Sequence, residues 1–170
     1  GGTAPVELWE TAVRLKPDHL PAIEALLNFH LERGDQAAAA GYLRAQAEAA
    51  TNPETRFSLF HSLAELYLNE IKSKPDAYEC YYNLWIDIGE PGPGHVAILK
   101  NLVALAEELH REHEVLGVYK ALLNLADEGE RLMLLVKAGE VSLRMGEIAF
   151  AQEVLETAQK KAPANEKVLT

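Results

Sequence analysis

The sequence predicts an all-α chain built from repeated helix pairs, and three observations lead there. Apolar residues recur at helical spacing from end to end, with no convincing run of strand alternation. Proline, glycine and aspartate punctuate that pattern at intervals that leave room for helices of ordinary length. Aromatic or leucine residues at equivalent second-helix positions, Trp9, Leu43, Tyr81, Tyr119 and Leu155, follow one another in steps of 34, 38, 38 and 36 residues. One such coincidence could be chance. Five in phase are a repeat.

Residues 3–17 read as a helix that Pro17-Asp18-His19 breaks. The first full unit, 20–53, carries Ile23, Leu26, Leu27 and His30 on its first helix. Gly34-Asp35 forms its turn, with Asp35 as N-cap of a second helix that holds Ala39 and Leu43. The alanine-rich run from Gln36 to Ala50 suits close helix packing. Thr51-Asn52-Pro53-Glu54 has the cap candidate, first-turn proline and acidic residue of a helix start. The second unit, 54–91, places Phe60, Leu63, Ala64 and Tyr67 before Ala77, Tyr81 and Leu84. Its internal connection, Glu70 to Asp76, is one residue longer than the other units predict, and Lys74-Pro75-Asp76 supplies a stop and a new start.

The run Gly89 to Gly94 is the strongest break. It lacks the Lys-Ser/Thr pair of a phosphate cradle and reads as an enlarged loop between units. The third unit, 95–129, keeps the spacing with Leu99, Leu102, Val103 and Ala106, then Val115, Tyr119 and Leu122. Leu132 opens the helices of the fourth, 131–165, and 166–170 look like the start of another helix. Gly1-Gly2 reads as a cloning scar ahead of a start inside a helix, so the chain is expected to be a piece of a longer array.

Composition narrows the function. With 16 Lys and Arg against 26 Asp and Glu, a net charge of −10 repels phosphate backbones and anionic membranes. Nucleic acid and membrane are therefore not expected partners, and no apolar run approaches the length of a membrane span. A single cysteine, Cys80, excludes an internal disulfide framework and fits a reducing, cytoplasmic compartment.

Leu135, Ala138, Gly139 and Ser142 stand at the spacing W-x2-L-G-x2-Y. Beyond the turn Met145-Gly146-Glu147, Ala151, Leu155 and Ala158 stand at A-x3-F-x2-A, with Pro163 five residues on. This fourth unit resembles a tetratricopeptide repeat, and the others lie on the same ruler with poorer letters; Val103 and Leu27 stand where the family prefers a small residue. The resemblance implies a right-handed superhelical solenoid of antiparallel helix pairs, about four and a half repeats here, whose first helices line a concave groove. It also implies a non-catalytic scaffold that binds a helix or peptide of another protein.

Matching first-helix positions unit by unit gives the expected lining. The first unit contributes Glu24, Asn28 and Leu31, and the second His61, Glu65, Leu68 and Asn69. The third adds Lys100, Ala104, Glu107 and Glu108, and the fourth Val136, Glu140, Leu143 and Arg144. Carboxylates beside apolar residues suit a basic or amphipathic helix or peptide. They would repel a C-terminal carboxylate, so the chaperone-tail clamp of this family is not expected. A second reading gives the array a structural role, with homodimers formed through its exposed ends.

Other chemistry finds little support. Glu107, His110 and Glu114 have the spacing of a metal face but fall across an inter-helix turn, so no metal or cofactor is expected. Cys80 reads as a buried inert thiol, and His30 as a satisfied core histidine. No nucleophile with a neighbouring base stands out, so the chain is not expected to be an enzyme.

Overall fold

The structure, a computed structural model, describes residues 3–161, with side chains from residue 5 to 160. Among the described residues it is all-α, without a strand, as the periodicity predicts. The chain divides into two compact units, Gly1–Asp87 and Ile88–Thr170.

The first unit holds α1 (Thr3–Leu15), α2 (Leu20–Glu32), α3 (Gln36–Ala49), α4 (Pro53–Glu65) and α5 (Lys74–Asp87). Each packs on the next. Their starts are set by short polar side chains. His19 Nδ1 accepts the Ala22 N–H at 3.2 Å, Asp35 Oδ1 that of Ala38 at 3.2 Å, and Asn52 Oδ1 that of Thr55 at 3.0 Å. Each therefore satisfies one of the amides that a first turn leaves without a partner. Before α5, the Ser73 hydroxyl is hydrogen-bonded to the Asp76 carboxylate.

The second unit begins beyond the glycine-proline run with a 3-10 turn, Pro93–His95, where the Gly92 N–H donates to His95 Nδ1 at 3.0 Å. Then come α6 (Val96–Glu108), a 3-10 turn at Glu112–Glu114, α7 (Leu116–Leu125), α8 (Glu128–Arg144) and α9 (Ile148–Lys161). Here too consecutive helices pack on one another. Asp127 caps α8 by accepting the Glu130 N–H at 2.9 Å, so that helix begins four residues before Leu132, where the apolar pattern alone would start it.

Inside the helix pairs the chain reverses through one residue of positive φ: Gly34 (71°), Lys72 (63°), His110 (56°) and Gly146 (77°). At three of them the hydrogen bonds are the same. The Gly34, His110 and Gly146 N–H groups reach three residues back, and the following Asp35, Arg111 and Glu147 N–H groups reach five back. This is the left-handed closure that satisfies the last carbonyls of a helix. Lys72 departs from the rule. Its N–H bonds to the Tyr67 carbonyl five back, and that of Ser73 to the same carbonyl six back. The intervening Leu66–Ile71 winds as a π turn. The residue by which the second connection exceeds the others is thus taken up inside the helix, as a π bulge takes up an insertion.

Equivalent positions form the core. Ala39, Ala77 and Ala151 in three second helices, and Val115 just before α7, are all 0% exposed. Tyr81 and Tyr119 are wholly buried, while Leu43 is nearly so and Leu155 half-buried. A β-carbon at Gly139 would lie 2.8 Å from Leu155 Cδ2, so the glycine is what lets α8 and α9 approach. His30 has partners as expected but is half-buried rather than in the core, stacked on Tyr42 with ring centroids 5.5 Å apart and its Nδ1 3.4 Å from Asp35 Oδ2. Gly1-Gly2, Pro163 and the helix expected over 166–170 lie outside the described residues.

Candidate functional site

In the first unit the expected lining sits on two helices. Glu24, Asn28 and Leu31 are exposed on α2, and Leu31 retains 43% exposure. On α4 and its π turn, Glu65 and Asn69 are exposed while His61 and Leu68 are half-buried. His61 Nε2 stands 3.8 Å from Glu65 Oε1, one turn away, and its ring meets that of Tyr81 edge-on at 6.1 Å. The carboxylates Glu24 and Glu65 are both exposed.

The second unit is better defined. Between α6 and α8 lies an open cleft of about 210 Å3 whose floor is Val103, Leu122 and Leu134, all buried, with Met133 at 59% exposure beside them. Ala104, exposed and small, forms part of its wall. Two ion pairs cross from helix to helix above the floor. Lys100 Nζ lies 2.7 Å from Glu130 Oε1, and Lys137 Nζ lies 2.9 Å from Glu107 Oε1. Their side chains stay between 34% and 45% exposed, so each pair remains partly in water.

Glu107 is therefore not a free groove carboxylate. It also accepts the Tyr119 hydroxyl at 2.9 Å. Burial, and then that carboxylate, raise the Tyr119 pKa well above the ordinary tyrosine value. Beyond it, Arg144 Nη2 stands 3.4 Å from Glu112 Oε1, and Arg111 grips Glu114 with two bonds of 2.8 Å. Of the two lysines that answer these carboxylates, Lys100 belongs to the lining expected from the sequence and Lys137 does not. Glu130 and Lys137 stand outside the matched positions, although a pair thirty residues apart at both ends is a signal in hindsight.

On α8 the positions that line this cleft are Glu130, Met133, Leu134 and Lys137, and Glu140 and Arg144 border the next hollow toward the turn. Val136 and Leu143 stand about 100° round the helix from Lys137 and Arg144 and line neither hollow. Leu143 is 48% exposed, Val136 half-buried, and Glu108 exposed at the end of α6. His110 occupies the turn itself, so Glu107, His110 and Glu114 share no helix face. No group of three metal-binding side chains occurs among the described residues. Cys80 is buried; burial pushes its thiol pKa up, against the nearby Arg44 guanidinium at 3.9 Å. Among the described residues no helix is long and apolar enough to cross a membrane.

No protein-family model matches the chain. No curated protein matches it either. Among solved structures it is similar to the crystal structure of MamA, at 11% identity and a TM-score of 0.45, covering 93% of this chain and 86% of that one. It is also similar to the crystal structure of BtubC (BKLC) from P. vanneervenii, at 17% identity and a TM-score of 0.44, covering 96% of this chain and 71% of that one. Likenesses this loose carry nothing about function.

Proposed function

We propose that this chain is a non-catalytic protein-interaction module of tetratricopeptide-like helix pairs, which takes a helix or peptide of a partner on the exposed faces of its first helices. The observation that carries the reading is apolar surface left uncovered there. Leu31 on α2, and Met133 and Leu143 on α8, keep 43%, 59% and 48% of their area in water beside charged neighbours. Apolar surface rimmed by polar residues is one mark of an interaction site. In the first unit Glu24 and Glu65 favour a basic segment; in the second the ion pairs leave the apolar floor as the attraction. The single free thiol, Cys80, fits the reducing, cytoplasmic setting that the reading carries.

The test is affinity capture from the native lysate with wild type beside Glu65→Arg/Glu140→Arg, both checked by circular dichroism. A partner held by wild type and released by the variant supports the reading. A partner held equally by both moves the contact away from Glu65 and Glu140.

A second reading, self-assembly, has its own observation. Leu8 and Leu15 stand seven residues apart on one stripe of α1 and are 71% and 79% exposed. Light scattering over a concentration series decides it: dimers that Leu8→Glu/Leu15→Glu abolishes would support assembly through α1. A monomer at every concentration would remove it.

A further inference from the structure

The cleft of the second unit is strapped at both ends. Lys100–Glu130 and Glu107–Lys137 span α6 to α8 two helical turns apart, roughly 10 Å, and the buried floor lies between them. A helix is itself about 10–12 Å across. Laid lengthwise here it would cover both pairs and strip water from four charges, a cost that their mutual attraction does not recover. A group entering end-on leaves both pairs partly in water. The rim holds two lysines and two glutamates that neutralise each other, so it offers no net field to draw a charged ligand. At about 210 Å3 the cleft is smaller than the roughly 300–1,000 Å3 of sites that enclose a small molecule. Met133, unbranched and adaptable, can fold over whatever fills it.

We infer that this cleft is a socket for one large uncharged side chain, leucine, methionine or phenylalanine, presented end-on by a partner polypeptide. The inference rests on the interaction reading above and narrows it. In this unit the recognised feature is a single apolar anchor, and the contact is insensitive to salt.

The first arm of the test uses isolated probes. Protein labelled at its methyl groups is titrated with N-acetyl-phenylalanine amide and, separately, with N-acetyl-lysine amide. Shifts at Met133, Val103 and Leu134 with the first probe alone are expected. Equal shifts with both, or none at those methyls, overturn the socket. The second arm selects displayed random peptides on the wild-type chain. Selected peptides are expected to share one large apolar residue and to bind about tenfold or more weakly to Ala104→Trp, which plugs the cleft, or to Met133→Lys, which places a charge in it. Raising salt from low to about 0.5 M should change their affinity less than about threefold. Peptides that share a basic cluster, or that lose affinity with Glu65→Arg/Glu140→Arg but not with Ala104→Trp, would overturn the socket while keeping the interaction module. Failure to select any peptide, with the probe shifts intact, would count against the module and not against the socket.

Discussion

Of the four left-handed residues that close the helix pairs, two are glycine and two are not. A side chain in that region costs on the order of 1–2 kcal/mol. Lys72→Gly and His110→Gly should therefore each raise unfolding free energy, by about 0.5–1 kcal/mol once the added freedom of the unfolded chain is discounted. Gly34→Ala and Gly146→Ala should lower it by about 1 kcal/mol; urea titration reads all four. Gly139 answers to a different constraint, because the space its side chain would need is filled by Leu155. Gly139→Ala is expected to destabilise wild type by about 1 kcal/mol, yet to be neutral or stabilising in a Leu155→Ala background, where helix propensity is unopposed. A double-mutant cycle without coupling would contradict the close approach. Tyr119 links stability to pH. Its folded pKa is raised above the unfolded value of 10.0, so the unfolded chain loses this proton first. The stability it contributes is complete below about pH 10 and drains away as pH rises beyond. Tyr119→Phe should lose about 1 kcal/mol at neutral pH, with the hydrogen bond to Glu107 gone, and then decline less steeply than wild type in alkaline denaturation curves.

The π turn at the end of α4 has a consequence for chain length. It holds one residue more than the corresponding turns after α2, α6 and α8. Deleting Asn69 should let the segment close as ordinary α-helix with the same left-handed exit, and shift the melting temperature by no more than about 3 °C. Deleting Ser62, about two turns earlier in α4, would turn part of that helix by about 100° and take either its preceding or its following apolar residues out of contact. That variant should lose its cooperative melt. The surplus residue is countable from the sequence, whereas its place within the helix rather than in the loop is seen only in the structure, where the Tyr67 carbonyl receives both closing hydrogen bonds.

The two units carry different reporters. Trp9, Trp85 and Cys80 all fall in the first, and Tyr119 in the second. Because burial pushes the Cys80 thiol up and shields it, thiol labelling should wait for the first unit to open. Its denaturant midpoint should coincide with that of tryptophan fluorescence, whether or not circular dichroism follows the same curve. Labelling that precedes the fluorescence change would mean that Cys80 is reached by a local opening around α5.

Among the described residues the all-α class and most helix starts are legible in the sequence, because apolar periodicity and short polar caps act within one or two turns. Asp35 and Asn52 cap as their positions demand, and Ala39, Ala77, Ala151 and Ala158 are buried where the repeat places them. Asp127 shows the limit of that reading, since a capped polar turn precedes the apolar pattern of α8. What only the tertiary structure decides is how charges from different helices meet. Glu107 reads as a free carboxylate until Lys137, thirty residues on, and Tyr119 are placed against it. Ion pairing depends on distances that local spacing does not encode, and it turns an expected acidic face into a neutral rim around an apolar floor.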